Sequence, residues 1–225
     1  MSKSLTRRST TKQLARVQIR GAEGEEKFIT GYAAVFYREG DSTTEYALWD
    51  DYLERLDPSC FDRALSEGHD ARGLFNHASE RLLGRVSNGT CTLTVDNVGL
   101  RFEIPIDPDD PDHCNVVAKI RRGDLSGCSF AFANATADWT ETDVDGRTVW
   151  IRTITDLDLF DVGPVTYPAY EATEVGLRTA VSSKEELVEA RSALTDHRNQ
   201  LQSRRQAEAD RVEIDFAMAA MNQNQ

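Results

Sequence analysis

Three segments carry residue types that together could open an acyl bond: His77 in GLFNHASERLLGR, Ser129 in GDLSGCSFAFANA and Asp161 in TITDLDLFDVGPVTYPAY. A serine hydroxyl becomes a nucleophile when a neutral imidazole takes its proton, and a carboxylate can hold that imidazole in the required tautomer. His77 follows the apolar pair Leu74 and Phe75 and so stands at the edge of core structure, where a lone histidine is more often structural than catalytic. Ser129 lies where a glycine-containing turn leads into a strand, on the face opposite Cys128, Phe130 and Phe132. Small residues around it leave room for a substrate backbone, and N–H groups near the turn can act as oxyanion donors. The GxSxG motif is absent and serines in strands are ordinary, so this segment alone decides nothing. Cys128 is a rival nucleophile, but strand alternation points it away from whatever Ser129 faces.

Alternation places Asp161 on one face with Leu157 and Leu159, and Asp156 and Asp158 on the other. An acid on an apolar face is costly unless it is paired or hydrogen-bonded, as the orienting member of a triad is. A bulge would shift this phase and bring Asp158 forward instead. The plain alternative is a structural pair with Arg152 or Arg178. The stretch DPDDPDHCN, from Asp107 to Asn115, holds five acids or amides around His113 but lacks the glycine and distal glutamate of a calcium loop. It reads as an exposed loop without a metal. Cys60, Cys91, Cys114 and Cys128 occur singly, without CxxC spacing, and are expected as reduced thiols.

The elements that must position these groups are mostly strands. From about Phe28 to Leu177, short β-type segments such as FITGYAAVFY, TCTLTV, LRFEIPI and RTVWIRTI alternate with turn residues, the pattern of a barrel or sandwich. One helix interrupts them, in DPSCFDRALSEG, with Asp57 as N-cap, Pro58 at the first helical position and Gly68 as the stop. After Arg178 the chain becomes rich in Glu, Arg, Ala and Leu and free of Gly and Pro, a helical tail over 181–225 that Ser182 or Ser183 can cap. At the other end, residues 1–20 carry Lys3, Arg7, Arg8, Lys12, Arg16 and Arg20 with no acid, and read as a flexible basic arm able to dock on an acidic partner. Residues 21–180 are left as the main domain.

A net charge of -12 argues against a nucleic-acid surface, which needs a concentrated basic patch. No run of 18 apolar residues offers a membrane span, and the basic N-terminal stretch has no apolar h-region, so a cytoplasmic protein is expected.

Taken in order, GYAAVF (Gly31 to Phe36), the PSCF helix around Phe61, LFNH and LGR with His77 and Gly84-Arg85, SGCSFAF with Ser129, LFDVGPVTYPAY with Pro168, and the T-x-V-x-x-R of Thr173, Val175 and Arg178 resemble the prohead serine proteases of tailed phages. The resemblance implies a mainly β, α+β fold similar to herpesvirus assemblin: a closed β-barrel with flanking helices, followed here by the helical tail. It implies a serine endopeptidase that needs no cofactor, with His77 and Ser129 at the family's histidine and serine. Asp161 stands where the family pattern usually has Glu, Gly163 where Ser is common, and Ala78 where an acid often follows the histidine. It further implies a location inside the immature prohead in the host cytoplasm, major capsid protein and scaffold as substrates and partners, self-trimming, and a possible homo-oligomer. A catalytically silent scaffold or assembly protein on the same fold is the rival from another class, and a cysteine hydrolase using Cys128 is a third reading.

Overall fold

The longest β structure is a hairpin whose turn chemistry is explicit in the sequence. Val144 pairs with Arg147 across Asp145-Gly146, and both turn residues have positive φ, 52° and 76°. That is the two-residue turn whose twist matches antiparallel strands, and Asp-Gly is among its favoured pairs. The computed structural model describes residues 6–9, 16–22, 26–49, 51–167 and 184–222. Strands β1 to β9 cover Thr6–Ser9, Gln18–Arg20, Phe28–Val35, Tyr46–Trp49, Tyr52–Leu56, Arg72–Leu74, Leu82–Arg85, Thr92–Val95 and Gly99–Pro105; the hairpin strands are β10 (Gly127–Val144) and β11 (Arg147–Val165). Helices α1, α2 and α3 cover Asp62–Ser66, Pro111–Arg122 and Lys184–Asn222.

The strands form two sheets. One runs β1-β10-β11-β5-β4, with β6 pairing β11 and β7 pairing β6; the other runs β2-β3-β9-β8. The chain is therefore mostly β, as expected, but the sheets are open and neither closes into the expected barrel. The reason lies in the edges: β1 and β4 end the larger sheet, β2 and β8 end the smaller, and among the described residues no ladder joins one sheet to the other. Helices are few. Strand β3 of the smaller sheet lies against β10 and β11. Gly31 of β3 is needed there, because a Cβ on it would stand 2.5 Å from the Cys128 sulfur.

The core is filled from both sheets, by Ile29, Leu100, Phe102 and Ile104 on one side and Phe130, Phe132, Ile154 and Leu157 on the other. Phe61, just before α1, links Phe36 and Phe130 at ring-centroid distances of 6.2 and 5.7 Å, and Phe130 stacks on Phe132 at 5.3 Å. Helix α1 is shorter than its sequence signals. Asp57 accepts from Ser59 N–H in a turn, and the helix starts only at Asp62. The acidic stretch expected as a loop instead starts α2: Asp110 caps it by accepting from the N–H groups of Asp112 and His113, and Pro111 takes the first helical position, where its missing N–H costs nothing. His113 is buried and structural in role, accepting from Asp107 N–H at Nδ1 and donating to Leu83 O at Nε2. No cluster of metal-ligating side chains occurs among the described residues.

Residues 1–20, expected as a flexible arm, contribute β1 and β2. The tail forms the single helix α3, which contacts define as a unit separate from residues 1–183. The candidate caps Ser182 and Ser183, Arg178, Pro168 and the T-x-V-x-x-R segment lie outside the described residues.

Because Phe61 is fully buried and joins α1 to the strand that bears Ser129, Phe61→Ala is expected to cost about 3–5 kcal/mol. A urea midpoint unchanged from wild type would show that this cluster does not hold the sheets together.

Candidate active site

Two register features decide which side chains meet. On β10, Ser129 opposes Gly163 and Ala131 opposes Asp161, but Phe132 opposes Leu159. One step on β10 thus spans two on β11, and Phe160 is the extra residue of a β-bulge. The bulge breaks the alternation on which the sequence reading relied. Asp161 does not share a face with Leu157 and Leu159; it is turned onto the face of Ala131 and Ser129. Asp158 stays on the far side of the bulge and is held by Arg63 (Nη2 to Oδ1, 2.9 Å) and Asn134 (Nδ2 to Oδ2, 2.6 Å).

His77 comes to this face from the loop after β6. Strand β6 pairs in parallel with β11, Asp161 opposite Arg72 and Val162 opposite Gly73. Asn76 and His77 then both adopt left-handed backbone, φ 58° and 55°. This conformation is uphill for a residue with a Cβ and persists only where its surroundings fix it. Here Asn76 fixes it. Its N–H donates to Pro164 O (3.0 Å), its Nδ2 donates to Thr166 Oγ1 (3.0 Å), and its Oδ1 accepts from Thr166 N–H (2.7 Å). At the other end of β6, Asp70 accepts a two-point contact from Arg85 of β7, which holds the Asp70 carboxyl well below the usual carboxylate range. The Arg85 of the LGR motif thus braces the strand that carries the histidine.

The result is a linear relay. His77 Nδ1 lies 2.5 Å from Asp161 Oδ1, and Nε2 lies 2.7 Å from Ser129 Oγ. A carboxylate only accepts, so Nδ1 carries the proton and Nε2 is left to accept from the serine hydroxyl. Ser129 is fully buried, and the His77 and Asp161 side chains are only 11% and 8% exposed. All three residues singled out from the sequence therefore meet. The neighbouring Cys128 does not join them: it is wholly buried on the other face against Gly31, and burial pushes its thiol well above the ordinary range, away from the reactive thiolate. Arg152 pairs with Glu54 (Nη1 to Oε2, 3.1 Å) rather than with Asp161.

Compared with known families, the chain matches the Caudovirus prohead serine proteases over residues 14–188. The chain belongs to this family. It is therefore a serine peptidase of phage capsid maturation, a hydrolase of peptide bonds that works in the procapsid. No curated protein and no solved structure matches it.

Two features of this prohead protease escaped the sequence reading. The Asn76 clamp had no signal beyond an ordinary NH dipeptide. Glu54 had one: in YLERL it falls between Tyr52 and Leu56 on the buried phase of β5, the same sign of a paired acid that drew attention to Asp161. Gly163 also has a specific reason to lack a side chain, since a Cβ there would come within 2.1 Å of Leu74 O. Gly163→Ala is expected to push β6, and with it the His77 loop, off β11, and to lower labelling of Ser129 by a fluorophosphonate on the order of 10²-fold in assembled proheads. Labelling at the wild-type rate would mean that the β6–β11 contact does not set the position of His77.

Proposed function

We propose that Ser129 is the nucleophile, His77 the general base and Asp161 the orienting acid of this prohead protease, and that it cuts scaffold and capsid-protein segments, and its own chain, inside the prohead. The observation that carries the reading is the unbroken relay from Asp161 through His77 to Ser129, at 2.5 and 2.7 Å. As Oγ attacks the scissile carbonyl carbon, its proton passes to His77 Nε2, and the imidazolium so formed is stabilised by Asp161. His77 then gives the proton to the leaving amine, and water, deprotonated by the same nitrogen, releases the acyl group from Ser129. The bulge at Phe160 presents the Asp161 carboxylate on the face from which His77 approaches. Backbone N–H groups of β10 near Ser129 are the natural oxyanion donors.

The reading is tested by co-expressing the chain with the capsid and scaffold proteins of its own phage and weighing the products by intact mass spectrometry. Ser129→Ala is expected to abolish trimming, and Asp161→Asn, which keeps the shape but removes the charge, to slow it on the order of 10³–10⁴-fold. Equal product masses from wild type and Ser129→Ala, in shells shown to assemble, would leave the silent assembly protein as the better account.

A further inference from the structure

The edge of β10 beside the nucleophile is occupied by the chain's own β1. The strands pair antiparallel, with Thr6 opposite Phe132, Arg7 opposite Ala131, Arg8 opposite Phe130 and Ser9 opposite Ser129. This is the geometry of an extended peptide added to a sheet edge, in which main-chain pairing supplies affinity and side-chain pockets supply specificity. The segment lies outside residues 14–188, the part of the chain that matches the family.

Arg8 meets the site at two places. Its carbonyl oxygen lies 2.9 Å from Ser129 Oγ, on the strand face of the nucleophile. Its side chain goes the other way and is only 1% exposed, with Nε 2.5 Å from Glu54 Oε1 and the guanidinium 5.6 Å from the centre of the Phe132 ring. Glu54 is itself 0% exposed, and its second oxygen accepts from Arg152 at 3.1 Å. Arginine is almost never fully buried unless it is paired. Here it fills a slot with an aromatic wall and an acidic floor, which suits a planar guanidinium better than an ammonium and excludes an acid.

Resting on the serine-protease reading above, we infer that β1 is docked as a substrate strand, that Arg8–Ser9 is the bond this protease cuts in its own chain, and that Glu54 selects a basic residue, arginine before lysine, on the acyl side of the scissile bond. The hydroxyl of Ser129 has one proton and two acceptors within reach, His77 Nε2 and Arg8 O. When the proton goes to His77, Oγ adds to the Arg8 carbonyl carbon, the C–N bond to Ser9 breaks, and the Ser9 nitrogen leaves as an amine carrying that proton. One water then cleaves the Arg8 ester, giving a carboxylate on Arg8 and restoring Ser129. The cut unties the segment ending in Arg8 from the domain, so it can leave the β10 edge to segments of other chains. Until then the strand blocks the nucleophile, which is a restraint suited to an enzyme that must not cut its coat protein early.

The test uses the full chain co-expressed with its capsid and scaffold proteins, reading the N-terminus of the protease and every new terminus in the shell proteins from the same sample. Wild type is expected to begin at Ser9, Ser129→Ala to keep Arg8–Ser9 intact, Arg8→Leu to lose that cut at least about tenfold, and Arg8→Lys to retain it in part, an ordering that reflects how the two cations pair with a buried carboxylate. Cut bonds in the shell proteins are expected to lie directly after Arg or Lys. Trimmed shell proteins beside a protease whose Arg8–Ser9 bond is intact would overturn the inference and leave the protease standing, as would shell-protein cuts with no basic residue before them. Absence of trimming in wild type and Ser129→Ala alike would remove the protease reading and this inference together. Should Arg8→Leu fail to fold, the wild-type termini alone still decide.

Discussion

A single inserted residue governs the site. In a regular β10–β11 ladder Asp161 would project with Leu157 and Leu159 into the core, where its carboxylate would be unpaired and strongly destabilising. The bulge at Phe160 reverses the phase for everything after it on β11, so that Asp161 joins Ser129 on one face while Leu159 keeps its place opposite Phe132. The same inversion explains why both burial and chemistry are satisfied at once: the apolar residues before the bulge and the polar residue after it each reach the side that suits them. Bulges are common beside active sites for this reason, since they aim one side chain without disturbing the rest of a strand.

The histidine is placed by a different device, and at an energetic cost. Two successive left-handed residues without glycine are opposed by sterics, and the three hydrogen bonds between Asn76 and the end of β11 offset that cost. Because Gly163 lets Leu74 O come close to β11, the loop is anchored to the strand that carries Asp161. His77 and Asp161 are thus held against one common element, and their separation depends little on motions between the two sheets. Ser129 is tied to the same strand through its pairing with Gly163. Three residues from distant segments come together because all three refer to β11.

How much of this was legible in the sequence depends on the range of the forces involved. His77, Ser129 and Asp161 were legible because chemistry restricts residue type and because the order of the motifs resembles a family. Strand content was legible from alternation, and the C-terminal helix from a composition rich in helix formers and free of Gly and Pro. The sheet arrangement was not: whether edges meet to close a barrel depends on the summed twist and on which distant strands pair, and the short segments seen along the chain carry no such information. Helix α2 was missed because Asp and Pro mark turns and helix starts equally, and only the residues after Pro111 separate the two. Asp161 was chosen for a reason the structure reverses, since the bulge at Phe160 takes it off the face of Leu157 and Leu159. Strand β1 was not legible because its basic, acid-free sequence shows no apolar alternation, and the pairing of Arg8 with Glu54 joins segments far apart in the chain.

Glu54 links the arm to the chemistry. Its buried carboxylate accepts from Arg8 at one oxygen and from Arg152 at the other. Without the arm, Glu54 and Arg152 still form a neutral pair, the form that a low-dielectric interior tolerates best. The slot therefore keeps a partner for Glu54 when the arm leaves. The arm gains its hold from the β1–β10 ladder as much as from the ion pair, and both depend on the segment remaining covalently attached, which keeps its effective concentration at the edge high. Once tethering is lost, a short strand competes with other chains on equal terms. A site that binds its own terminus by backbone pairing is thereby suited to hand the same edge to segments supplied at the high local concentration inside a closed shell.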